Sequence, residues 1–139
     1  MVQFLCSYFL DNPRKHLNSF RYKDNERLTQ YWSYTYLPGK RLTEIDLYLL
    51  TSSNTFSAAE EFAYDLKSMK RATVIGEITG GGGHDNKFVV LMDRFIMSLP
   101  FARAMNPITH TNWEEVGVEP DIPVMTTFLG GGGQRTKGQ

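Results

Sequence analysis

The chain has 139 residues, 41% of them hydrophobic and 22% charged, enough for one compact domain with a core and too few for two. Fifteen Lys and Arg balance fifteen Asp and Glu, so no overall basic field would gather nucleic acid or an anionic membrane surface. The single cysteine, Cys6, excludes an internal disulfide and a cysteine-rich zinc site, and its neighbours Phe4, Leu5, Tyr8 and Phe9 point to a buried, inert thiol.

Apolar residues at 1, 4, 5, 8 and 9 follow helical spacing, and Asp11-Asn12-Pro13 stops that helix, so the first element is a helix over about residues 2 to 10. It has no basic leader, no cleavage signal and no run of apolar residues long enough for a membrane span. No capping residue precedes it, so the chain reads as starting inside an element. The aromatic and hydroxyl-rich runs from Leu17 to Tyr22 and from Arg27 to Leu37, with Asp24-Asn25 between them, predict a hairpin. After the Pro38-Gly39 turn, the apolar run from Ile45 to Thr51 predicts a buried strand.

The stretch Thr51-Ser-Ser-Asn-Thr-Phe-Ser-Ala-Ala-Glu-Glu-Phe places Ser57 where that strand gives way to a helix. A serine there stands over the unpaired N–H groups of the helix start, a geometry that suits a nucleophile. Ser-Ala-Ala-Glu is equally a capping box, with Glu60 reaching back to the serine, and the local pattern by itself favours the cap. Apolar positions 58, 59, 62, 63, 66 and 69 mark the buried stripe of a helix running to Lys70. Glu60, Glu61, Asp65, Lys67 and Lys70 fall on the opposite, solvent-facing side.

A strand over Ala72 to Gly76 follows, and the order strand, helix, strand predicts a parallel crossover and an α/β domain. The four glycines at 80 to 83 lack both the Lys-Ser/Thr pair of a P-loop and the spacing of a dinucleotide fingerprint, so they favour close backbone approach to a ligand over nucleotide binding. Lys87 to Met92 and Phe95 to Leu99 read as strands about Asp93-Arg94, and residues 129 to 139 as a flexible glycine-rich tail.

His16, His84 and His110 lack partners at metal-ligand spacing, so neither a metal nor another cofactor is expected. His84 reads as a solvated loop residue, with a role as base the lesser alternative. Glu114 and Glu115 follow Trp113, beside whose ring a carboxylate can be desolvated.

Four blocks carry a family resemblance: Thr51 to Tyr64, Lys70 to Gly82 (Lys-Arg-Ala-Thr-Val-Ile-Gly-Glu-Ile-Thr-Gly-Gly-Gly), Arg103 to Thr109, and Asn112 to Asp121 (Asn-Trp-Glu-Glu-Val-Gly-Val-Glu-Pro-Asp). In that order they resemble the tail-specific (C-terminal processing) serine peptidase family, in the branch that includes interphotoreceptor retinoid-binding protein and its bacterial relatives. The resemblance implies an α/β, crotonase/ClpP-like spiral of β-β-α units, incomplete at its N-terminus, over residues 1 to 128. It implies Ser57 as nucleophile, the Ala58 N–H as an oxyanion donor, and Glu114, with Glu115 as the open alternative, as the carboxylate that orients a histidine.

The chain departs from the family in its glycine run, which holds no lysine to pair with the serine; Gly81, Gly82, Gly83 and His84 are carried over as a substrate loop. The family's histidine lies upstream of the matched blocks, so little peptidase activity is expected of these residues alone. The implied partner is a peptide or protein substrate. Abundant aromatic surface at Tyr31, Trp32, Tyr34, Tyr36, Phe88 and Phe95 supports an alternative, a binder of retinoid or fatty-acid-like lipophilic small molecules, against ordinary core as the simpler reading. A third reading is self-association into a homo-oligomer over exposed apolar surface. The resemblance suggests a periplasmic or secreted setting.

Overall fold

The computed structural model describes residues 1–11, 14–24 and 26–125; the domain border at 128 and the glycine-rich tail lie outside the described residues. In chain order the elements are α1 (Val2–Phe9), β1 (His16–Tyr22), β2 (Leu28–Trp32), β3 (Tyr48–Thr51), α2 (Ala58–Ser68), β4 (Thr73–Gly76), β5 (His84–Leu91), β6 (Phe95–Met105) and β7 (Ile122–Pro123). They form an α/β structure with two sheets, one of four strands in the order β2-β1-β6-β5 and one of three in the order β3-β4-β7.

Strands β3 and β4 pair in parallel, from Tyr48 opposite Thr73 to Thr51 opposite Gly76, with α2 as the crossover between them. A parallel pair cannot be closed by a tight turn, so the strand, helix, strand order read from the sequence has this consequence in space. Strand β7 adds in parallel to the other edge of β4 through Ile75 opposite Ile122. In the larger sheet β1 joins β2 and β6, both antiparallel, with an irregularity between His16 and Asn18. Next to that irregularity Asn18 is buried, and its Oδ1 accepts the N–H groups of Ser19 and, from β6, Met105, at 2.9 and 3.1 Å.

Helix α2 joins two apolar clusters. Ala63 packs with Val74, Ala104, Trp113 and Val118, while Leu66 packs with Cys6, Leu10 and Leu17 beneath α1. Burial pushes the Cys6 thiol well above its ordinary range, as expected of an inert core residue. The last turn of α1 is held by two guanidinium groups: Arg41 donates to the carbonyls of Ser7 and Leu10, and Arg71 to that of Phe9. Those carbonyls have no partner within the helix, so donors from distant loops both satisfy and anchor it.

Three sequence expectations change. The run from Ile45 to Thr51 is not a fully buried strand: β3 begins at Tyr48, and Tyr48 and Leu50 are 58% and 82% exposed. It is an edge strand whose alternate residues, Leu49 and Thr51, turn inward. The β5–β6 hairpin is longer than expected, because Pro100 lies opposite Asn86 beside a register shift, and a bulge tolerates the missing N–H that would interrupt a regular ladder. The third change concerns α2, where Glu60 and Asp65, read as solvent-facing, are fully buried.

Candidate active site

Ser57 is the N-cap of α2 and adopts φ 57°, ψ −119°, a backbone region that L-residues avoid. Its side chain is exposed, and it lines an open cavity of about 300 Å³ with Ala58, Glu61, Gly82, Gly83, His84, Trp113 and residues of α1, β1 and β2. Ser57 and Glu60 form the capping-box pair expected from the sequence, and its firm half is the Ser57 N–H donating to Glu60 Oε2 at 2.7 Å. The Ser57 hydroxyl makes no cap hydrogen bond of ordinary geometry. The hydroxyl faces the Glu60 N–H as the weaker half of the box and also lines the cavity, so the cap and nucleophile readings share it.

Glu60 does more than cap. Its Oε1 accepts the Thr79 hydroxyl at 2.5 Å and the Gly81 N–H at 2.6 Å, and its Oε2 accepts the Gly82 N–H at 2.8 Å. With Ser57 that makes four donors around one fully buried carboxylate. A charge out of contact with water is tolerable only when surrounded in this way. The Thr79 hydroxyl in turn accepts the Val118 N–H at 2.7 Å, which carries the network into the Gly-Val-Glu-Pro-Asp segment. Sequence reasoning treated Glu60 as a cap alone; its other available signal was the nearby run of glycines, with N–H groups free to converge on an anion.

The glycine run is thus engaged internally. Gly81 and Gly82 donate to Glu60, while Gly83 and His84 donate to Glu114 Oε2 at 2.5 and 2.9 Å. These four N–H groups do not form an open cradle for a ligand, although Gly82, Gly83 and His84 do line the cavity. The absence of side chains has a packing reason at Gly82, where an added Cβ would lie 2.2 Å from the Phe56 ring.

His84 departs from the sequence expectation. It is the half-buried first residue of β5, not a solvated loop residue, and its Nδ1 lies 3.2 Å from Glu114 Oε1. Glu114 is fixed from its own chain as well, its N–H donating to Asn112 Oδ1 at 2.9 Å. Glu115, the open alternative, has an exposed side chain and contributes its N–H to the Gly81 carbonyl at 2.9 Å. His16 is stacked on Trp32 and His110 is exposed, so of the three histidines only His84 lines the cavity of Ser57.

The cavity wall also carries Glu61, whose carboxyl is raised above the usual range by desolvation, against the opposing effect of the Asn18 amide donating to it at 3.2 Å. Trp113, 2% exposed, closes the floor and donates its indole N–H to the Gly82 carbonyl at 3.0 Å. Among the aromatic residues considered for lipophile binding, Tyr31 reaches this cavity, Trp32 stacks on His16, and Phe88 and Phe95 stand exposed on the β5–β6 hairpin. They do not converge on one site.

The model of Peptidase family S41 matches residues 4–124. The chain belongs to peptidase family S41. Over 86 residues, 62% of this chain, it is 38% identical to the chloroplastic carboxyl-terminal-processing peptidase 2 of Arabidopsis thaliana, and the match spans 16% of that protein. A solved photosystem II D1 C-terminal processing protease superposes with a TM-score of 0.67 at 25% identity, covering 88% of this chain and 30% of that one. A putative S41 protease from Bacteroides fragilis gives 0.71 at 25% identity, with 89% and 33% covered. This S41 chain therefore spans about a third of the solved relatives and less of the plant enzyme. It is a serine peptidase family domain, and no helix among its described residues is long and apolar enough to cross a membrane.

Proposed function

We propose that this S41 domain cleaves peptide bonds by acyl transfer, with Ser57 as the nucleophile. The observation that carries the reading is the backbone of Ser57, held at φ 57° at the start of α2 with its side chain open to the cavity. Strain at an exposed serine between a strand and a helix is how a hydroxyl is lifted clear of the sheet. As Oγ bonds to a substrate carbonyl, negative charge develops on the carbonyl oxygen. The Ala58 N–H, first of the unpaired donors of α2 and beside the positive end of its dipole, receives that charge. Glu114 orients the imidazole that takes the serine proton. The substrate class is a peptide or protein chain, which fits an open cavity better than an enclosed one.

The test is labelling with a serine-directed fluorophosphonate, read by intact mass and peptide mapping. The expected result is a single adduct on Ser57 that Ser57→Ala abolishes. A folded protein that takes up no label would overturn the nucleophile assignment.

One observation favours the second reading, a binder of lipophilic small molecules without turnover. Beside the site, α1, β3 and α2 border an open, mostly apolar cavity of about 460 Å³, lined by Leu5, Tyr48, Leu50, Ala59 and Phe62 among others. Titration with a fatty acid, read as a change in thermal midpoint, separates the two. An unchanged midpoint at high micromolar ligand would remove this alternative.

A further inference from the structure

We infer that the general base for Ser57 is supplied within this chain by His84, with Glu114 as the residue that positions it. The inference rests on the reading of Ser57 as nucleophile and names as its partner the residue that ends the glycine run. Where the pattern calls for a lysine the glycine run has none, and the run ends instead on His84, which lines the same cavity as Ser57.

Three observations support the assignment. First, the imidazole is oriented: Nδ1 lies 3.2 Å from Glu114 Oε1, so the tautomer with a proton on Nδ1 donates to the carboxylate and leaves Nε2 as a lone-pair acceptor. Among the described residues Nε2 has no protein hydrogen-bond partner, and as a lone-pair acceptor it can take up a proton. Second, Glu114 is itself immobilised: its other oxygen accepts the N–H groups of Gly83 and His84, so the carboxylate fixes both the ring and the backbone that carries it. An ordinary surface pair of histidine and glutamate has no such second attachment. Third, the wall around the pair is rigid, because Gly82 and Ser57 are both tied to Glu60 and Trp113 donates to the Gly82 carbonyl. Nucleophile and base are therefore mounted on one braced unit.

The Ser57 Oγ–H proton passes to His84 Nε2 while Oγ bonds to the carbonyl carbon and the C=O π pair moves onto oxygen. Collapse of that oxyanion breaks the C–N bond, and Nε2 returns the proton to the departing amine. Water then repeats the sequence on the acyl-enzyme, losing its proton to Nε2, and Ser57 recovers its own. The imidazolium formed at each stage is stabilised by the Glu114 carboxylate.

The experiment compares fluorophosphonate labelling rates of the full chain and its variants, with near-ultraviolet circular dichroism reporting the fold. His84→Ala is expected to slow labelling of Ser57 by roughly 100-fold or more, with part of the rate restored by free imidazole. His84→Asn keeps an N–H donor toward Glu114 but offers no base, so it is expected to hold the fold and show the same loss. Glu114→Gln is expected to slow labelling less than removal of the ring. If folded His84→Asn labels at the rate of the unmodified protein, or imidazole restores nothing to His84→Ala, the assignment of the base is overturned while Ser57 stands. If the unmodified, folded protein takes no label, the peptidase reading fails and this inference with it.

Discussion

The Glu60 carboxylate accepts the Ser57 N–H at 2.7 Å and, through its remaining capacity, the Thr79 hydroxyl and the N–H groups of Gly81 and Gly82. One side chain on the first turn of α2 thereby holds the serine turn and the glycine run in a common frame. Replacing it takes the acceptor away from four donors, at a position that is itself fully buried. Glu60→Gln keeps the volume and one acceptor oxygen but turns an NH2 group toward N–H donors, and a buried donor left unpaired costs about 1 to 3 kcal/mol. Urea midpoints should show a loss of that size, and Ser57 labelling should fall with it even where the variant stays folded. A loss below about 1 kcal/mol would mean that Glu60 does not hold the serine turn and the glycine run together.

Ser57 itself stores strain. At φ 57° and ψ −119° its Cβ is the cause, and glycine is the residue that adopts such angles freely. Relief of strain worth about 1 to 3 kcal/mol, set against the roughly 0.5 to 1 kcal/mol by which glycine favours the unfolded chain, leaves a net gain. Ser57→Gly should therefore be more stable than Ser57→Ala by about 1 kcal/mol, both being unreactive toward phosphonate. Equal denaturation midpoints for the two variants would show that the turn is relaxed.

Ser57 and the elements on either side of it were legible in the sequence because they are local: a strand run, a hydroxyl at a helix start and a 3.6-residue stripe are all written within some twenty residues. Parallel pairing of β3 with β4 was legible for the same reason. What the sequence obscured were partnerships across long separations. The periodicity of α2 put Glu60 and Asp65 on its polar face, and that face proved to be covered, by the loop from Thr79 to Gly82 in one case and by Asn106 in the other. His84 read as a loop residue because nothing within reach of it in sequence anchors it; its partner, Glu114, lies 30 residues on. Leu50 read as buried because hydrophobicity reports what a strand can bury, whereas exposure depends on which layers are present.

Gly117 offers a separate test of the frame. It sits at φ +73°, and a Cβ there would stand 2.3 Å from the Thr79 carbonyl oxygen. Thr79 cannot retreat without loosening its hydroxyl from Glu60 or from the Val118 N–H. Gly117→Ala should thus cost about 3 kcal/mol or more, through unfavourable backbone angles and overpacking together. Hydrogen exchange should show the N–H groups of Gly81 and Gly82 losing protection along with that of Val118. Loss of protection confined to residues 116 to 118 would place the strain outside the network.

Asp65 sets a pH dependence whose sign can be worked out. It is fully buried; Oδ1 accepts the Asn106 amide at 3.0 Å, and Oδ2 has no partner among the described residues. Desolvation is the main cause that raises its carboxyl well above 3.8, Glu61 adds to it, and the Asn106 amide opposes. A folded-state value above the unfolded one means that the native state holds the proton more tightly. The resulting stabilisation is complete below the unfolded value and is lost as pH rises through the folded one. Asp65→Asn preserves the acceptor for Asn106 and removes the ionisation, so the stability of the variant relative to the parent should increase from pH 4 to pH 8. Urea midpoints of both proteins across that range provide the measurement. A difference that stays flat with pH would show that Asp65 has the same proton affinity folded and unfolded, and one that shrinks would reverse the sign.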